Sequence, residues 1–415
     1  MSTFRTYLYL ELLLWIYLGC WNTALPLIIV QRGSLFELAV YETALAFAAI
    51  ISMLCFAPRV ESMRRSTALK AGCIVILFAS ALRYLFASNW YSLDALILID
   101  VIAVAAFGVV QPLFGIYPAE TVDKHQTSAA FRIRRIVVTV GRVAGPLLAG
   151  IVIAVYSLDI SLLFSSILGL VAVVIAMALP ISEAPTKPRS TSHRINEIFL
   201  GLKLKCILPP EQFLTCSGLL LGLTVTAIVP MLVPTLTHTR NLAEGSAGLL
   251  NAVFASGAIA GLLILSPIIA KRQNQRKKYL GCWSLLTFSL CATTQSDEVW
   301  LLIPWLFFAG AASACITLIG MDKRVMSIPS GARVRLMAST LVISQLGSSV
   351  SFVITGAIMS KFGTASLVWL YLGVFAVIVL YSMRSKEVWQ FLENDAEVEL
   401  YYQNKHPKLA AVMAT

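Results

Sequence analysis

The stretch Leu168–Pro180, LGLVAVVIAMALP, carries no charged or polar side chain, and Ile102–Val110, IAVAAFGVV, is built the same way. Neither run alternates apolar with polar residues, as the segments of about ten residues in a membrane β-barrel do. Extended to the nearest charged residues, such runs approach the roughly 20 residues that an α-helix needs to cross the hydrocarbon core of a bilayer. They are read as membrane-spanning helices.

The rest of the chain agrees. Of its 415 residues 58% are hydrophobic and only 13% charged, with a mean hydropathy of +0.81. A soluble domain carries about 25% charged residues, so this chain lacks the polar surface to cover itself in water. Apolar runs between charged breaks predict twelve spans, at 7–30, 36–57, 71–89, 93–116, 136–157, 160–181, 211–236, 247–270, 279–295, 299–320, 337–360 and 365–383. The first is too long for a signal-peptide core and is expected to be retained. The fold expected is all-α and polytopic: six plus six transmembrane helices in two pseudo-symmetric bundles. Residues 1–181 form the first bundle, 182–210 a proline-containing cytoplasmic linker, 211–386 the second bundle and 387–415 a cytoplasmic tail.

Charge placement orients the spans. With both termini in the cytoplasm, 27 of the 32 Lys and Arg residues fall on the inner side and only Arg32, Arg240 and Lys361 on the outer side. Arg83 and Arg142 lie within spans. One missed helix would invert every later loop, so the asymmetry supports the segmentation. It also accounts for the net charge of +11 without nucleic acid, because the basic residues are spread over seven segments. The eight cysteines form no CxxC pair and read as small packing residues, with no disulfide framework and no metal site.

The halves echo one another. Phe131-Arg132-Ile133-Arg134 matches Ala332-Arg333-Val334-Arg335 at an offset of 201, Asp123-Lys124 matches Asp322-Lys323 at 199, and Thr23–Pro26 resembles Ala227–Pro230 at 204. Such drift is small enough to indicate a duplicated half.

On these features the chain resembles the major facilitator superfamily over about residues 5–385. The most specific segment is Gly141-Arg142-Val143-Ala144-Gly145-Pro146-Leu147-Leu148-Ala149-Gly150, which is similar to that family's antiporter motif in the fifth span, with Ala149 where glycine is usual. Gly141, Gly145 and Gly150 reduce side-chain bulk for close helix approach, and Pro146 lets the helix bend. The resemblance implies that this face seals the outer half in exporters. The family's other hallmark, a Gly/Asp/Arg-rich loop between spans 2 and 3, is degenerate here: Glu61 stands for its acid and Arg64 and Arg65 for its basic end, as a cytoplasmic gate loop. Arg132, Arg142 and Gly145-Pro146, together with Gly331–Val334, also resemble the branch holding enterobactin-type exporters and macrolide-efflux pumps.

Charged residues inside a membrane are costly and usually functional. Asp100, about 10 Å inside the fourth span, and Glu42, about 9 Å inside the second, are the candidates for carrying a coupling proton. Arg142 and Arg83 are candidates for holding substrate or pairing with Asp100; Arg142 has the alternative of snorkelling to the cytoplasmic headgroups, and Arg83 of snorkelling outward. Glu11 is placed at the inner interface. The resemblance implies that spans 1, 4, 7 and 10 line the cavity, so Asn22, Gln111 and Thr226 are candidate substrate contacts; interhelical hydrogen bonding is the alternative. Trp15, Trp21, Trp305 and Phe107 offer stacking surface or face lipid.

The function expected is secondary active transport, with proton-coupled export of a siderophore or drug-like molecule by alternating access across a bacterial inner membrane. The partners expected are a small-molecule substrate, protons and the lipid bilayer, without nucleic acid or cofactor, and the chain is expected to work as a monomer. Proton-coupled import is the alternative. An intramembrane enzyme is the lesser one, because no HExxH run occurs and the four histidines lie shallow; the sequence also lacks a Walker GxxxxGK[ST] run.

Overall fold

Ser92 and Ser157 show how short polar breaks restart the chain. Each adopts an extended backbone and accepts a hydrogen bond on its hydroxyl, from the amides of Ala95 and Ile160 respectively, and each is followed by an aspartate (Asp94, Asp159) in the first helical turn. Side-chain caps of this kind satisfy orphan N–H groups, and the acids favour the positive end of the helix dipole.

The computed structural model describes residues 2–55, 65–122, 127–180, 205, 208–265, 273–319 and 330–393. The described residues form α1 (Ser2–Arg32), α2 (Leu35–Cys55), α3 (Arg65–Ser88), α4 (Leu93–Thr121), α5 (Thr127–Val155), α6 (Leu158–Met177), α7 (Pro209–Val225), α8 (Val233–Thr239), α9 (Ser246–Ala260), α10 (Gln275–Gln295), α11 (Val299–Leu318), α12 (Ser330–Phe362), α13 (Leu367–Arg384) and α14 (Lys386–Glu393). Ten stretches among the described residues are long and apolar enough to cross a membrane. Two further long helices, α4 and α10, stand where the fourth and ninth spans were expected. The protein is all-α and polytopic.

Several boundaries move. α5 begins at Thr127, nine residues before the expected 136, and α12 at Ser330, not 337. Arginine is a good helix former, so the helix continues through the charges expected in the loop. The seventh span breaks: α7 ends at Val225, a π-helical turn runs over Ile228–Leu232, and α8 follows. Pro230 and Pro234 each lack the N–H that would continue the ladder, which explains the break. A second π-helical turn, Gly261–Leu265, extends α9. At the end of α12, Gly363 takes φ +79, a left-handed value open to glycine, and its amide caps the Met359 carbonyl.

The chain divides into two compact units, Met1–Thr191 with Ile228–Ala252, and Ser192–Ala227 with Val253–Thr415. The segment Ile228–Ala252, placed by sequence in the second bundle, therefore packs with the first six helices. In the first unit α1 is the central element and is buried at Tyr7, Leu10, Leu14, Tyr17, Cys20, Ala24 and Leu25. In the second, Phe213 of α7 gathers Tyr381 at 5.3 Å, Tyr279 at 5.3 Å and Trp389 of α14 at 5.0 Å.

Candidate functional site

The first unit encloses a polar cluster built from four helices. Arg83 of α3 and Asp100 of α4 are both 0% exposed. The Arg83 Nε donates to Asp100 Oδ1 at 2.7 Å, and a terminal guanidinium nitrogen lies 2.5 Å from the same oxygen. Tyr41 of α2 donates to the other carboxylate oxygen at 2.5 Å. From α1, Tyr17 accepts from the guanidinium at 3.0 Å, and the Trp21 ring lies 4.1 Å from its central carbon. Trp21 Nε1 in turn donates to the Tyr41 hydroxyl at 3.3 Å. Three aromatic residues, Tyr17, Trp21 and Tyr41, thus flank this ion pair. Glu42, next along α2 from Tyr41, is half-buried and within electrostatic reach of Asp100.

The structure decides between alternatives here. Arg83 does not snorkel outward; full burial and three partners fix it inside the unit. Of the two partners weighed for Asp100, it pairs with Arg83. Glu11, placed at the inner interface by sequence, is 3% exposed and accepts three hydrogen bonds from Arg134, at 2.7, 2.9 and 3.1 Å. The sequence reading overlooked Tyr17, Trp21, Tyr41 and Arg134 as partners. The depth of each residue in its span was the signal available for finding them.

Arg142 lies midway along the span Ala129–Val155, about 20 Å from either end at the helical rise. Its guanidinium carbon sits 4.4 Å from the Trp15 ring of α1, and the side chain is exposed. Trp15 contacts Phe107 of α4 edge-on at 6.0 Å. Asn22 and Gln111 are also exposed.

The glycines of α5 allow close approach to two neighbours. A Cβ on Gly141 would meet the Trp15 Cβ at 2.6 Å, and one on Gly145 would meet the Ile16 carbonyl at 2.7 Å and Gly19 Cα at 2.9 Å. Cys20 donates its thiol to the Gly145 carbonyl at 3.3 Å. A Cβ on Gly150 would lie 2.6 Å from the Gly245 carbonyl and 3.0 Å from Gly248 Cα. The motif therefore seats α1 at its middle and the start of α9 at its far end, with Pro146 against Gly19 between them.

At the end of that unit where α1 gives way to α2, Arg32 bonds Asp159 at 3.3 Å and Gln31 donates to Glu244 at 2.6 Å. Tyr91, in the turn before α4, donates to Glu37 at 2.9 Å; burial and that carboxylate push its phenol above the usual range, so it stays a donor. In the second unit Thr226 shares a hydrogen bond with Ser348 of α12 at 3.1 Å, the interhelical alternative for that residue. It also lines a cavity of about 350 Å³ between α7, α11 and α12, with Thr215, Ser217, Thr317 and Ser344. Glu61 and Arg64 lie outside the described residues, as does the side chain of Arg65.

The description Major Facilitator Superfamily fits residues 214–399 as a family match. That match covers less than half of the chain. The chain is 28% identical over 152 positions to the MFS-type transporter YE1530 of Yersinia enterocolitica, an uncharacterized protein; the match spans 37% of this chain and 39% of the relative's length. Among solved structures, the nucleoside transporter NupG aligns at 15% identity with a TM-score of 0.72, over 93% of this chain and 99% of its own. A bacterial homologue of the iron transporter ferroportin, in an inward-facing state, aligns at 16% identity and TM-score 0.71, over 95% and 99%. At these identities the likeness concerns the fold. The fold thus brings Arg83 to Asp100 and Arg142 to Trp15, while Thr226 belongs to the second unit.

Proposed function

We propose that the protein is a secondary active transporter that exports a small organic molecule, siderophore-like or drug-like, in exchange for protons by alternating access. The observation that supports this most is the Arg83–Asp100–Tyr41 cluster. A charge pair wholly inside a membrane bundle is costly to maintain and gives little net stability, so its retention favours a working role. Protonating Asp100 would remove the negative charge that holds Arg83 and leave Tyr17 and Trp21 as the guanidinium's partners. The cluster would then have two arrangements separated by one proton, as a coupling element requires. Glu42 would accept or deliver that proton beside it.

Export rests on α5. Its seating of Gly150 against Gly245 and Gly248 gives the first unit a tight, small-residue contact at the end of the helix away from its basic start. The proposed setting is a bacterial inner membrane with both termini cytoplasmic, a monomer of two bundles joined by the 182–210 segment, and a gate at Glu61, Arg64 and Arg65.

Inside-out vesicles energised by a pH gradient test the reading with a panel of siderophores and a drug-like dye. Accumulation that an uncoupler collapses supports it. No accumulation, with uptake of one panel member by intact cells, overturns export in favour of import. An Asp100→Asn protein that still couples transport to the gradient removes Asp100 from the mechanism.

A further inference from the structure

Arg142 is a charged group in the first unit that the coupling cluster leaves unused. The other arginines that meet α1 have settled partners: Arg83 is held by Asp100, Arg134 by Glu11. Among the described residues no carboxylate pairs with Arg142, and its partner is the Trp15 ring. A guanidinium within a membrane-spanning helix is costly unless water or an anion reaches it.

The surroundings are arranged for a ligand. Gly141 lacks the Cβ that would strike Trp15, so the indole lies close against α5, and the next residue, Arg142, stacks over it. This cation–π contact fixes the guanidinium plane while the side chain stays exposed, leaving N–H donors available. Phe107 adds a second ring beside Trp15. Asn22 lies two helical turns from Trp15 on α1, about 10 Å along the axis, and Gln111 one turn from Phe107 on α4. Both amides are exposed within membrane spans. Pro26 and Pro146 also deprive the backbone carbonyls of Asn22 and Arg142 of their helical donors, which adds acceptors for a ligand hydroxyl.

We infer that Arg142, Trp15 and Phe107 form a binding site for a small organic anion with an aromatic body, its acid group on Arg142 and its polar substituents toward Asn22 and Gln111. This rests on the transport reading and names the class of its cargo.

Equilibrium binding to the purified full-length protein in detergent, without any gradient, separates this site from proton coupling. The probes are radiolabelled 1-naphthoate and its cationic counterpart 1-naphthylmethylammonium, with protein-free micelles as blank. Naphthoate is expected to bind at least ten-fold more tightly than the ammonium. Arg142→Gln should lose ten-fold or more for naphthoate, Arg142→Lys should retain part of the affinity, and Phe107→Ala should weaken both probes. Equal binding of the two probes, no naphthoate signal above micelles, or full affinity in Arg142→Gln overturns the site. Should Arg142→Gln fail to fold, the comparison of probes on the native protein and on Arg142→Lys decides. Failure of vesicle transport with binding intact refutes the coupling reading and leaves the site standing.

Discussion

Removing both members of the Arg83–Asp100 pair is expected to cost less than the sum of removing each alone. Asp100→Asn abolishes the negative charge at the 2.5 and 2.7 Å contacts and leaves a guanidinium with 0% exposure facing Tyr17 and Trp21. Breaking a buried ion pair in this way costs about 3–5 kcal/mol, because one charge stays buried without compensation. An independent route gives a similar size: two unit charges about 4 Å apart in a medium of effective dielectric about 20 interact by roughly 4 kcal/mol. Arg83→Met, which strands the carboxylate with Tyr41 alone, should cost a like amount. The double replacement buries no lone charge, so its loss should fall short of the sum of the singles by about 2–3 kcal/mol, near the upper end for directly contacting residues. Unfolding midpoints in mixed micelles with a rising fraction of denaturing detergent measure all three variants on one scale. Additivity within about 0.5 kcal/mol would refute the pair as an energetic unit.

Two further perturbations address other contacts. Gly150→Val pushes a branched side chain into the Gly245 carbonyl and Gly248 Cα, at 2.6 and 3.0 Å from a Cβ; overpacking of about 1–3 kcal/mol should speed maleimide labelling of an Asn251→Cys reporter by about 5- to 100-fold, and an unchanged rate would mean the contact is slack. Trp389→Ala removes the ring that packs on Phe213 at 5.0 Å and donates to the Ser382 carbonyl at 2.9 Å; a loss of about 3–5 kcal/mol should undock α14 and hasten proteolysis there, whereas an unchanged cleavage rate would show that other contacts hold it.

The spans were legible because burial in lipid imposes length and apolarity on each segment independently of its neighbours. What hydropathy does not carry is rotation about the helix axis, and rotation decides who meets whom. Depth alone went part of the way. Arg83 lies five residues before the end of α3 and Asp100 seven after the start of α4, so the two sit at nearly the same level of an antiparallel hairpin. Reading Arg83 as snorkelling required ignoring that match. For Arg142 the expected start was the weak point: α5 runs through the charges Arg132–Arg135, so its start lies nine residues earlier than expected and its end only two. The π-helical break at Ile228–Leu232 was foreshadowed by Pro230 and Pro234, yet the grouping of Ile228–Ala252 with the first unit was not, because it depends on contacts with α1 and α5 far away in sequence.

Three arginines on α3 and α5 show how neighbouring residues turn the same side chain to different ends. Arg83 meets a carboxylate capped by a tyrosine, and Arg134 meets Glu11 through three hydrogen bonds, so both charges are cancelled where they stand. One turn further along α1, Glu11 gives way to Trp15, and two turns further along α5, Arg134 gives way to Arg142. An indole orients a guanidinium but cannot neutralise it. The helix pair that cancels one positive charge therefore presents another, in mid-span and exposed, beside two amides. Among the described residues Arg142, unlike Arg83 and Arg134, meets no acid. Leaving that charge open makes sense when the anion arrives from outside the chain and departs again.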